Sequence, residues 1–563
     1  MPRLFIKPEL QLNSWTDLDS YINQLLNTEL SSLSTFKTWL AQWDELSRFI
    51  SEDLGWRYIR MTCNTADEHS KNRYLDFVQT IQPKWLEASD ALNRKIHSCS
   101  YANQFKEPGF EILKKNIETE LDLYRPNNIS LQTELQDLEQ SYGTRCGSQT
   151  IEHEGNTLTL QQASVFLKNP RREIREQMYF KIQNRRAQDE EFFNELLSQM
   201  IDKRHQMALN AGFNNYRDYK HRALNRLDYT VEDCFKFHQA IERVAVPIYR
   251  KKERLRRERL KLNTYRPWDT SVEVDGLSPL KPFENGADLL EKTIACFSEM
   301  DVYFADCLIK MKQLGRLDLE SRVGKSPGGY QYPLYESKLP FIFMNAVGLH
   351  RDLVTMVHEG GHAIHSFLYQ DLTQMAYQSP PSEMAELASM GMELMSMEHW
   401  HVFFKTPEEL KRAKQQQLEG VIDTLPWIAA VDAFQHALYQ EPHHTLEWRR
   451  NQWTNIMDRF GNTEVDYSGL FQDLARKWQA QLHIFEVPFY YIEYGIAQMG
   501  AIALWRNYKQ NPKETLKKYK AALALGYTRS LPELYALAGI EFNFSAAYMN
   551  ELMEFVWNEY QTL

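Results

Sequence analysis

Five residues carry the clearest chemistry in this chain. His358-Glu-Gly-Gly-His362 lies inside the run Leu349–Leu368, whose apolar positions recur at helical spacing. On a helix, histidines four apart project from one face about one turn apart, so two imidazole nitrogens can reach a single zinc. Glu359 sits one step round the helix. It flanks such a metal rather than ligating it, close enough to take a proton from bound water and return it to a leaving amine. The bland alternatives are a structural metal or two histidines paired in a core. Gly360 and Gly361 each cost a helix interior about 1 kcal/mol relative to Ala, which close packing against a neighbouring element would explain. His350 reads as a surface residue, and His365 as core or supporting rather than ligating.

Zinc held by two histidines needs a third protein ligand and an open position for water. After Asp371–Gln378, Ser379-Pro-Pro-Ser382 punctuates a new helical run, Glu383–Glu393. Glu386 and Glu393 share a face, so one can bind the metal while the other accepts a hydrogen bond from a ligating imidazole. Spacing does not separate Glu386 from Glu383. An acidic row on a helix rich in Met, Ala and Leu is costly unless partnered, which argues against a merely solvated face.

A third group is His483-Ile-Phe-Glu-Val-Pro-Phe-Tyr-Tyr-Ile-Glu-Tyr494. Tyr491 and Tyr494 share a helical face and, with His483 and Tyr490, could donate hydrogen bonds to a tetrahedral intermediate. Core packing is the ordinary reading of such spacing.

The elements that must position these residues are mostly helices. From Ser14 to Arg125 the pattern is helical, with Leu18, Ile22, Leu25 and Leu26 on one stripe, and Thr65–Glu68 fits a capping box. Ser148–Thr159 reads as a hairpin turning at Gly155-Asn156, with a soft domain boundary beside it. Helices resume from Leu160 to about Leu260, and Tyr265–Phe283 is a connector. The aromatics of Tyr330–Tyr335 and Leu339–Met344 flank a short polar turn and predict a second hairpin. Beyond Leu349 the chain is helical again. The expected fold is mainly α, with a small antiparallel β element next to the motif helix; the expected division is 1–159 and 160–563.

The 563 residues are 43% hydrophobic, with a formal net charge of −10 and interspersed signs, which excludes an extended basic surface for nucleic acid or anionic lipid. The basic run Arg250–Arg259 is broken by Glu and reads as a solvated helix face. Six scattered cysteines without a CxxC pair imply reduced thiols. Neither a signal-peptide pattern nor an uncharged spanning segment is found, so cytoplasmic residence is expected.

Taken together, these motifs resemble the thimet oligopeptidase and oligoendopeptidase F family of zinc peptidases, most closely its compact bacterial, Pz-peptidase-like branch. Lys325–Tyr330, Asp432–His436, Gly526–Leu534 and Ala538–Ile540 match as well. The resemblance implies one zinc per chain on His358, His362 and Glu386, with Glu393 as the second acidic residue and Glu359 as the base. It assigns Tyr491 and Tyr494 to the oxyanion and substrate, and His483, with Tyr490, to substrate binding. Gly328 and Gly329 then let backbone approach the substrate, whose extended chain could pair with the hairpin edge. It further implies two helical lobes enclosing a deep channel, and an endopeptidase acting on short unfolded peptides. Rival readings are a zinc exopeptidase and a non-catalytic peptide-binding protein with structural zinc.

Overall fold

The computed structural model describes residues 3–274 and 276–563. It is mainly α, as expected, with five short strands among the described residues. The chain folds as two compact units, each assembled from three separate stretches: 1–124, 280–414 and 497–542 in the first, 125–279, 415–496 and 543–563 in the second.

In the first unit, the expected N-terminal stripe buries Leu18, Ile22 and Leu25 along the helix Thr16–Asn27. That face meets the long helix Leu33–Cys63, whose Trp39 donates its indole N–H to the Leu25 carbonyl at 2.8 Å. Phe36, Phe105 and Phe110 interlock edge to face beneath it, at centroid separations of 4.7 to 5.9 Å. Fully burying each such ring contributes roughly 1.5–3 kcal/mol. One cap differs from expectation. The helix Glu68–Asp76 is capped by the Asp67 carboxylate, which accepts from the His69 N–H, so Glu68 is the first helical residue rather than the third. The Thr65 hydroxyl instead donates to the Gly324 carbonyl.

The first unit also holds a three-stranded sheet of β3 (Leu317–Glu320), β4 (Tyr330–Tyr332) and β5 (Phe341–Ala346), ordered β3-β5-β4. The β4–β5 pair is the expected antiparallel hairpin, with Tyr330 opposite Phe343 and their rings stacked at 4.8 Å. β3 was not expected, and it runs parallel to β5. Lys325 fastens the strands: its ammonium donates to the Asp318 carboxylate at 2.9 Å and to the Met344 carbonyl. β4 remains at the sheet edge beside the helix His350–Tyr369.

In the second unit, the hairpin β1 (Thr150–His153) and β2 (Asn156–Thr159) turns on Glu154 and Gly155, both at positive φ, one residue before the expected centre. Asn and Gly tolerate that conformation most readily, and here Glu takes the strained place. The basic run falls on the helix Val246–Arg259, but not as a uniformly solvated face. Lys252 is buried and pairs with Glu253 at 2.7 Å and Asp423 at 2.5 Å, while Arg250 donates to the Gly461 and Asp458 carbonyls.

Candidate metal centre

The helix His350–Tyr369 begins where Asp352 turns back to accept from the backbone N–H groups of Val347 and Leu349, at 2.8 and 2.9 Å. This satisfies donors that a helix start leaves unpaired. Two turns on, His358 and His362 share one face, with ring centroids 4.9 Å apart. The partner helix, Ser382–Ser396, starts directly after Pro380-Pro381.

Close approach of the two helices rests on glycine. A Cβ on Gly361 would lie 2.7 Å from both the Ala388 carbonyl oxygen and the Ser389 Cα, inside any permissible contact. A Cβ on Gly360 would meet the Phe297 ring at 2.9 Å. The close packing expected of this Gly pair is thus present, and it brings Glu386 over the histidines. One Glu386 oxygen lies 3.4 Å from His358 Nε2 and 3.7 Å from His362 Nε2. The three donor atoms fall within 4.8 Å of one another, a set that could hold a divalent ion. Glu383, buried on the same helix, is outside that group. Ser389 donates to the carboxylate oxygen of Glu386 that faces the imidazoles, at 3.2 Å, and Glu393 meets His358 Nδ1 at 2.6 Å. That last contact orients the ring so that Nε2 faces inward.

The electrostatics are those of a site built for a cation. Burial disfavours charge on His358, but hydrogen bonds to Glu386 and Glu393 prevail and raise its pKa well above the ordinary value. Burial lowers His362 to about 4 and raises Glu359 to about 7. Glu359 accepts from the backbone N–H of Gln331 on the edge strand β4, while its Oε2 is buried without a hydrogen-bond partner. Two imidazoles, one carboxylate and an under-satisfied carboxylate beside them fit a metal with a bound water. His365 is buried against Tyr369 and is not in the donor set. His350 is packed edge-on against Trp400 at 5.3 Å, so the surface reading of that residue does not hold. The helix turns its first residue back onto Trp400 rather than outward.

Gly328 adopts a φ of +98°, which favours glycine, and Gly329 fits closely between Thr355 and the Phe343 carbonyl. Among the described residues one other donor group occurs, His238, Asp432 and His436. All three are buried, whereas His358 and His362 keep 21% and 17% of their side-chain surface exposed, the access a substrate requires.

The aromatic group belongs to the second unit. His483 lies on the short helix Leu482–Phe485, and its ring is 4.6 Å from Tyr491, 6.0 Å from Tyr494 and 6.4 Å from Tyr490. Between them, Phe489 holds a φ of +67°. Its N–H donates to Gln435 Oε1 at 2.8 Å and its carbonyl accepts from Arg226, which also pairs with Glu493 at 2.7 Å. These anchors fix an otherwise strained turn so that the Tyr491–Gln510 helix begins at the first of the two paired phenols. Sequence reasoning reached Gln435 only within the Asp432–His436 match and missed Arg226, Trp427 and Gln481; Gln435 and Gln481 contact His483 directly, and Trp427 holds Gln481. A polar residue two before His483 was the one available signal.

The profile of Peptidase family M3 matches residues 165–554, and that of the Peptidase M3 N-terminal domain matches residues 9–124. An oligoendopeptidase F homolog of Borreliella burgdorferi is 20% identical over 404 residues, covering 70% of this chain and 66% of the relative. A second, from Lactococcus lactis, is 22% identical over 322 residues, covering 56% and 52%. The chain therefore spans about half to two thirds of the length of these curated relatives. Among solved structures, PZ peptidase A with an inhibitor superposes with a TM-score of 0.91 at 26% identity, covering 97% of each chain.

Proposed function

The chain belongs to peptidase family M3, and from that membership we propose that it is a zinc-dependent endopeptidase hydrolysing internal bonds of short, unfolded peptides. The observation that carries this reading is the convergence of His358, His362 and Glu386 beside the buried Glu359 carboxylate. We assign the three to the metal and Glu393 to orienting His358. Zinc, when bound, supplies Lewis acidity and a bound water of lowered pKa. Glu359 takes the proton from the attacking water and delivers it to the leaving nitrogen, which its place one step round the helix allows. The buried setting keeps that carboxylate basic enough for the transfer. Tyr491 and Tyr494 donate to the oxyanion, while His483 and Tyr490 hold the substrate backbone.

The edge position of β4, beside Glu359, supports binding of an extended peptide by strand addition. Gly328 and Gly329 leave room for that approach. In this reading residues 160–563 carry the catalytic machinery and 1–159 form the N-terminal helical region. Cytoplasmic residence accords with six free cysteines, and no helix among the described residues is long and apolar enough to cross a membrane. The endopeptidase reading is tested by separating the products of peptides blocked at both termini. Internal cleavage is expected, whereas turnover confined to peptides with a free C-terminus would indicate an exopeptidase.

A further inference from the structure

Beside the phenols, three side chains form a directed relay. The Trp427 indole N–H donates to Gln481 Oε1 at 2.9 Å, and Gln481 Nε2 meets His483 Nδ1 at 2.8 Å. An indole nitrogen can only donate, so the amide oxygen of Gln481 must face Trp427 and its NH₂ must face the imidazole. An NH₂ also only donates, which requires an unprotonated Nδ1. The ring proton therefore sits on Nε2, and an imidazolium is disfavoured because its Nδ1–H would oppose the amide hydrogens.

We infer that Gln481, oriented by Trp427, is a positioning residue that fixes His483 as a neutral Nε2–H donor toward a substrate carbonyl oxygen. The inference rests on the substrate-binding reading of His483 and goes beyond it in specifying tautomer, charge and the residues that impose both. A preset donor lowers the ordering cost when the substrate backbone binds.

The test combines ring ¹⁵N NMR of histidine-labelled, zinc-loaded full-length protein with steady-state kinetics on a quenched peptide, the His483 signals being assigned through His483→Gln. The wild type is expected to show neutral His483 protonated at Nε2. Gln481→Glu replaces the donor with an acceptor, so His483 should move to the Nδ1–H or imidazolium form and kcat/KM should fall by roughly 10- to 100-fold, mainly through a raised KM. Trp427→Phe, which keeps the ring and frees the amide to flip, should give mixed tautomers and an intermediate rate. In a His483→Gln background, Gln481→Glu should add little further loss. Nδ1 protonation in the wild type, or an unchanged tautomer in both variants while His483→Gln is impaired, overturns the relay alone. A shifted tautomer with unchanged kcat/KM in Gln481→Glu and His483→Gln overturns the inference through the reading on which it rests.

Discussion

Gly361→Ala is expected to fold yet fail as a metal protein, while its neighbour Gly360→Ala is expected to lose stability but keep its metal affinity. At Gly361 a Cβ would sit 2.7 Å from the Ala388 carbonyl oxygen and the Ser389 Cα, 0.7 Å short of the 3.4 Å at which ordinary contact begins. Neither neighbour is a side chain that can swing away. The Ala388 carbonyl also accepts from the Tyr519 hydroxyl, at 2.5 Å. The helices must therefore part by several tenths of an ångström between Glu386 and Glu393, moving both carboxylates away from the imidazoles. Metal sites tolerate about 0.2 Å in ligand distance, so affinity should fall at least as far as on loss of a supporting group, about 10- to 100-fold. Stability should change less. Ala gains about 1 kcal/mol of helix propensity, against an overpacking cost of about 1–3 kcal/mol. At Gly360 the obstacle is the fully buried Phe297 ring, at 2.9 Å, away from the Glu386 helix. There the overpacking should cost about 1–3 kcal/mol of stability, offset in part by helix propensity, and leave the ligands in place. Competition for zinc against a chromophoric chelator, with thermal unfolding of the metal-free proteins, reads both effects. Wild-type affinity in Gly361→Ala, or equal losses in the two variants, would refute the claim that this contact sets the ligand geometry.

Glu393→Gln removes the charged acceptor 2.6 Å from His358 Nδ1 and should weaken zinc binding about 10- to 100-fold while leaving the fold intact, as the same chelator competition measures. Of Tyr491→Phe and Tyr494→Phe, the one that meets the oxyanion should lose about 10²- to 10³-fold in kcat, and the other should act mainly on KM. The pH profile has a defined sign. Glu359 must be ionised to take a proton, and burial raises it to about 7 in the metal-free protein, so activity should rise with pH through its pKa. A bound cation lowers that pKa, placing the acid limb of kcat/KM at or below about pH 7; a limb well above neutrality would count against Glu359 as the base.

Much of the candidate site's geometry was legible in the sequence because it is local. Four-residue spacing puts His358 and His362 on one face, and the seven-residue interval does the same for Glu386 and Glu393. The glycine pair signalled close packing, which the approach of Gly361 to Ala388 and Ser389 bears out. What spacing left open, Glu383 or Glu386, depends on how two helices rotate against each other. Long-range features were invisible for the same reason. β3 has four residues and pairs in parallel with a strand that follows β4, so no turn announces it. Trp427 and Gln481 lie 54 positions apart, and only the fold joins them. Lys252 looked like part of a solvated run because its partner Asp423 is 171 positions away.

The most direct test of the account compares the wild type with Glu359→Gln, matched for zinc content, on an internally quenched peptide blocked at both ends. Zinc retained in both proteins, with turnover lost by at least about 10²-fold in the variant, is the expected result for a carboxylate acting as base beside the metal. A zinc-loaded wild type that leaves the blocked peptide intact, or a Glu359→Gln variant that cleaves it at the wild-type rate, would contradict the central claim.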